Sequence, residues 1–106
     1  MEMPKVISAY FEADRRNDAD ALVALFSADA VVEDERACHQ GVHEIRKWWV
    51  SAKEQTHHVN EPIETTAADD RIRVRAKVSG DFPNSPVVLE FFFTIKSNKI
   101  VALEIR

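Results

Sequence analysis

Asp34 is the side chain in this sequence best placed to do chemistry. It lies in VVEDE, residues 31–35. The two-residue period of a strand puts Val32 and Asp34 on one face and Val31, Glu33 and Glu35 on the other. A carboxylate on an apolar wall is either a general base or a costly burial. The plainer reading is an exposed strand acid, or one bonded to a helix end. Tyr10, in SAYFE, falls in the middle of an apolar helical stripe. Its ring belongs in the core, and its hydroxyl reaches Asp34, a ligand or a buried partner.

The remaining reactive types form no constellation. His39 and His43 are four apart, but Gly41 lies between them and His39 falls before the helix. His57 and His58 are adjacent, so on a strand they point to opposite faces and one must face inward; His58 is taken as the pocket-rim candidate. No helix face gathers two histidines and a carboxylate, so no metal is expected. Cys38 has no CxxC partner and no readable histidine partner, which argues against a nucleophile. There is no glycine-rich phosphate loop, GxSxG elbow or HExxH, and with two glycines in the chain a nucleotide cradle is not expected. No cofactor is implied.

The elements that must position Asp34 follow from periodicity. Pro4 suits the first turn of a helix, in which Val6, Ile7, Tyr10, Phe11 and Asp14 recur at helical spacing. Asp18 is an N-cap for a second helix burying Ala21, Leu22, Leu25 and Phe26 and closed by Ser27-Ala28-Asp29. The short VVEDE strand follows, then a loop from Glu35 to Gly41. A third helix carries Val42, Ile45, Trp48, Trp49 and Ala52 and fades near Gln55. Adjacent helical residues point about 100° apart, so one tryptophan can line a pocket while the other packs elsewhere; Trp49 is the candidate.

From Thr56 the period becomes two. A polar strand covers 57–66, with Pro62 marking an edge or bulge. RIRVRAKVSG, residues 71–80, alternates Ile72, Val74, Ala76 and Val78 with Arg71, Arg73, Arg75 and Lys77. GDFPNSP is a turn-rich connection. PVVLEFFFTIK, residues 86–96, is apolar on both faces. Leu89, Phe91, Phe93 and Ile95 form a pocket floor, and Val88, Glu90 and Phe92 face outward, where a covered sheet face implies a homodimer. Ser97-Asn98-Lys99 makes a hairpin into the last strand. Val32, Trp49 and Phe93 are expected to desolvate Asp34.

The chain of 106 residues suits one domain, 1–106. With 14 basic and 18 acidic residues its net charge is −4, which speaks against nucleic acid as partner. Its start reads as a helix with acids, and no signal peptide is expected. No apolar run approaches the roughly 20 residues of a membrane span. A single cysteine points to a reducing cytoplasm.

In order and spacing, ISAYFEADRRNDADALVALFSADAVVEDE, HQGVHEIRKWW and the hairpin FTIKSNKIVALEI resemble the nuclear transport factor 2-like superfamily. Within it they resemble the SnoaL-like and ketosteroid-isomerase-like bacterial proteins. The resemblance covers nearly the whole chain. It implies an α+β cone, with three N-terminal helices packed on a strongly curved antiparallel sheet around a pocket, and dimers through the outer sheet face. It implies further that Asp34 shuttles a proton while Tyr10 donates to the developing enolate. Ketosteroid isomerases add a protonated aspartate beside the tyrosine, and the matching position here is Phe93. Losing one such donor costs roughly 10²–10³ in rate, so steroid isomerisation is not implied. The expectation is an isomerase- or cyclase-like proton transfer on a small apolar carbonyl compound, with Asp34 and Tyr10 catalytic and Val32, Trp49, Leu89, Phe91, Phe93 and His58 against the ligand. The alternatives are a non-catalytic ligand-binding module and a partner-binding dimer of the same fold.

Overall fold

The structure is a computed structural model describing residues 2–106. Helix α1 spans Lys5–Arg15 and α2 spans Ala19–Val23. Strands β1 (Phe26–Asp34) and β2 (Ala37–Gln40) follow, then helix α3 (Gly41–Thr56). A meander completes the chain: β3 (Val59–Ala68), β4 (Arg71–Ser79), β5 (Val87–Lys96) and β6 (Lys99–Ile105). The six strands form one sheet in the order β2-β1-β6-β5-β4-β3. All pairs are antiparallel except β1 with β6. Register shifts in β1, β3 and β5 bend the sheet around the helices. This is the expected α+β fold of the nuclear transport factor 2-like type. No helix among the described residues is long and apolar enough to cross a membrane.

Local signals account for most element ends. The Asp18 carboxylate accepts from the Ala21 amide at 3.0 Å and caps α2. Gly41 opens α3 at φ 86°, a left-handed geometry that suits glycine. Ser97 and Asn98 both take positive φ, as a two-residue hairpin requires.

Three boundaries differ from expectation. The second helix stops at Val23, and Phe26 to Asp29 belong to β1. The Leu25 carbonyl accepts from the Ile100 amide at 2.9 Å, so pairing with β6 draws this stretch into the sheet. The loop expected over 35–41 contains β2, which folds back on β1 through Glu35 and Arg36, both at positive φ. The polar strand begins at Val59, because His57 ends α3 in the left-handed region.

The core lies between the concave face of the sheet and the helices. Ile7, Tyr10 and Phe11 of α1 meet Phe91 and Phe93 of β5, with aromatic centroids 5.2–6.5 Å apart in mostly edge-to-face geometry. On the convex face, Arg71 pairs with Glu104 at 2.9 Å, and Arg73 with Glu64 at 3.2 Å and Glu90 at 3.5 Å. The outward-facing Phe92 is covered by the guanidinium groups of Arg71 and Arg106, 4.5 and 4.8 Å from its ring centre. Cation–π contact thus covers an aromatic side chain on that face within a single chain.

Candidate functional site

The sheet's concave face leaves a cavity of about 570 Å³ between β1, β5, α3 and the 80–86 connection. Tyr10, Asp34, Leu89, Phe91 and His58 line it, so five of the eight expected site residues come together. Gly80 lets the connection close: a Cβ there would stand 2.7 Å from the Thr56 carbonyl oxygen. That same oxygen accepts from the Asp81 amide at 2.6 Å. The close approach sets Phe82, Pro83 and Asn84 along the cavity wall.

Val32, Phe93 and Trp49 do not line this cavity. Val32 and Phe93 point to the concave side, as alternation requires, but both are fully buried in the core away from the cavity. Phe93 packs against Tyr10 and Phe11. The two tryptophans exchange the roles read from sequence. Ile45 and Trp49, four apart, form the buried stripe of α3, and the 100° offset turns Trp48 to the cavity instead.

Trp48 donates its indole N–H to Asp34 Oδ2 at 3.0 Å. The Asp34 carboxylate is thereby oriented at the end of β1, with its other oxygen unconstrained by any side-chain hydrogen bond among the described residues. Tyr10 is 1% exposed, yet its hydroxyl meets no side-chain partner among the described residues and lies on the cavity wall. Burial pushes its pKa well above the ordinary tyrosine value, and the charges of Asp14 and Asp34 push it further. The phenol is therefore a neutral donor at any physiological pH.

A second acid, Asp14, lies behind the cavity and is fully buried. It was legible only as a charged residue in the apolar stripe of α1, four positions after Tyr10. Its Oδ1 accepts from the Trp49 indole at 2.9 Å and lies 3.3 Å from Lys53 Nζ and 3.5 Å from His58 Nε2. Its Oδ2 accepts from the Asn60 amide at 3.1 Å. Burial alone would raise this carboxyl, but the His58 hydrogen bond, the Lys53 charge and the Trp49 indole outweigh it and hold the pKa below the usual value. His58 and Asn60 also line the cavity, so Asp14 fixes two wall residues from behind. Asn60, like Asp14, had no sequence signal beyond a polar residue on an inward strand position.

His57 turns outward to Asp81 at 3.0 Å, and Thr56 Oγ1 lies 3.1 Å from His58 Nδ1. Among the described residues, no three His, Cys, Asp or Glu side chains converge as metal ligands would.

A family model for the SnoaL-like domain matches residues 7–103. A Sinorhizobium meliloti protein of solved structure, described as a "putative polyketide cyclase", is 54% identical over 98% of this chain and 95% of its own, with a TM-score of 0.95. A Catenulispora acidiphila protein of ketosteroid isomerase-like fold, solved with trimethylamine, is 18% identical over 99% and 86%, with a TM-score of 0.85. SalBIII, an epoxide hydrolase/cyclase-like enzyme of pyran ring formation in the polyether salinomycin, is 20% identical over 95% and 86%, with a TM-score of 0.82. The last two share the fold. No curated protein matches the sequence.

Proposed function

The chain belongs to the SnoaL-like domain family, and on that premise we propose that it is an isomerase- or cyclase-type enzyme that moves a proton on a small, largely apolar carbonyl compound. The observation that carries the reading is the pairing, on one cavity wall, of an oriented carboxylate with a buried phenol that has no side-chain partner. The Tyr10 hydroxyl opens onto the cavity and meets no side-chain partner among the described residues, which leaves its proton free for a ligand. Tyr10 is thus suited to a carbonyl oxygen that gains charge.

The chemistry follows from these two groups. Asp34 removes a proton from the carbon next to the carbonyl, and the electron pair moves through the enolate to the oxygen held by Tyr10. Return of the proton from Asp34 to another carbon completes an isomerisation. Attack of the enolate carbon on a second carbonyl, with the proton delivered to the new alkoxide, completes a cyclisation. Leu89, Phe91, Val87 and Phe82 supply an apolar wall, which strengthens each electrostatic contact by excluding water.

The experiment is α-proton exchange of small cyclic ketones and β-diketones in D2O, followed by NMR. Asp34→Asn should abolish the catalysed exchange. Absence of exchange across such a panel, in wild type as in the variant, would leave the alternative of ligand binding without turnover. That alternative draws on Phe93, which fills the place of a second oxyanion donor with a core side chain.

A homodimer through the convex sheet face belongs to the same proposal, supported by Val88, 47% exposed on the same face of β5 as Phe92. Light scattering at micromolar concentration should give twice the chain mass; a monomer would end it. The cytoplasm is the proposed compartment, since it would keep the exposed Cys38 reduced.

A further inference from the structure

Besides His39 and His58, the charged side chains lining the cavity are of one sign. Asp34 and Glu35 stand on its wall, and no lysine or arginine does. Three acids on other parts of the molecule are met by cations: Asp14 by Lys53, Glu104 by Arg71 and Arg106, and Glu90 by Arg73. Several exposed acids, Glu33 and Glu61 among them, stand in no ion pair among the described residues. Asp34 and Glu35 have no ion-pair partner among the described residues. The side-chain hydrogen bond that Asp34 accepts comes from the neutral indole of Trp48. Two carboxylates by themselves would say little. Here they share a concave space with the Trp48 and Phe82 rings and with the hydroxyl that the otherwise buried Tyr10 turns to the cavity without a side-chain partner among the described residues.

We propose that the substrate is cationic: a small carbonyl compound bearing a protonated amine, whose nitrogen sits at the rim between Glu35 and the Trp48 ring while its carbonyl reaches Tyr10. An aromatic ring beside an unpaired carboxylate favours an ammonium through cation–π and ion-pair attraction together. Glu35 is exposed at the rim, so this attraction is moderate and open to screening by salt. An anionic substrate would meet repulsion from both acids. The inference rests on the proton-transfer reading, because Asp34 serves both, but adds a choice of substrate charge that the reading lacks.

Three probes of one shape test it: cyclohexylamine, cyclohexanone and cyclohexanecarboxylate, titrated at pH 7 and followed by NMR shifts of the tryptophan indole N–H groups. The expected order is amine, ketone, carboxylate, with the amine favoured over the ketone by about tenfold at low salt. The advantage should shrink at about 0.5 M salt, as an electrostatic preference at an exposed rim must. Glu35→Gln should lower the amine-to-ketone ratio severalfold. Equal binding of carboxylate and amine, or an amine preference untouched by salt and by Glu35→Gln, would overturn the proposal. α-Proton exchange of the ketone in the same samples separates the two claims. Exchange without amine preference removes the cation and keeps the chemistry; amine preference without exchange does the reverse.

Discussion

The indole N–H of Trp49 donates to Asp14 at 2.9 Å, while its neighbour Trp48 donates to Asp34 at 3.0 Å. Two adjacent residues on α3 thus serve two acids on opposite sides of the cavity wall. Asp14 has no solvent exposure and ties α1, α3 and the start of β3 through Trp49, Lys53, His58 and Asn60. Removing one member of a buried charged network leaves the others desolvated and uncompensated, which costs about 3–5 kcal/mol. Asp14→Ala should lose that much stability in urea unfolding at pH 7. A loss under about 1 kcal/mol would mean that the network does not hold the helices to the sheet.

The same acid sets a pH dependence. Its folded pKa lies below the unfolded value, so the folded protein binds fewer protons than the unfolded chain in the window between the two. Its contribution is fully present above the unfolded value, about 3.9, and is lost as pH falls through the lower folded value. Glu104 adds to this window, held low by the Arg106 hydrogen bond, but on an exposed face where solvent weakens the effect. Wild-type stability should fall steeply below about pH 4. Asp14→Asn should show a shallower fall; an unchanged slope would assign acid sensitivity to other carboxylates.

What the sequence made legible and what it did not divide along one line. Strict alternation in β4 and the apolar run of β5 gave both faces of the sheet correctly, since each residue's side follows from the period alone. The Tyr10 and Asp34 positions were readable for the same reason. Depth along a strand was not. Phe91 and Phe93 share a face and both pack against α1, yet only Phe91 reaches the cavity, and the path of the helix over the sheet decides that. The rotation of α3 was equally hidden, because Trp48 and Trp49 both fit the apolar stripe until Asp14 fixes one of them. β2 escaped notice because ACHQ has no alternation, and its pairing comes from the turn at Glu35 and Arg36.

Those separate roles predict separable phenotypes for the two tryptophans. Trp49→Phe removes a donor from a buried carboxylate and should cost about 1–3 kcal/mol of stability. Trp48→Phe frees a half-buried carboxylate at the cavity edge, so stability should change by less than about 1 kcal/mol. Its ligand binding or exchange rate should fall, because Asp34 loses the contact that orients it. Urea unfolding and the exchange assay, run on both variants, test the assignment. Reversed phenotypes would restore Trp49 as the ligand-side residue.

Tyr10 offers the sharpest division between core and chemistry. Its ring packs against Phe11, Phe26, Phe91 and Phe93, which Tyr10→Phe preserves. The hydroxyl meets no protein side chain among the described residues, so its removal breaks no side-chain hydrogen bond and should leave stability within about 0.5 kcal/mol of wild type. An oxyanion donor, by contrast, is worth about 10²–10³ in rate. Tyr10→Phe should therefore slow α-proton exchange by about two orders of magnitude in a protein that unfolds at nearly the same urea concentration. A stability loss above about 1.5 kcal/mol would show a structural partner for the hydroxyl. Unchanged exchange together with unchanged stability would leave Asp34 acting without the phenol, and would place the carbonyl oxygen elsewhere on the wall.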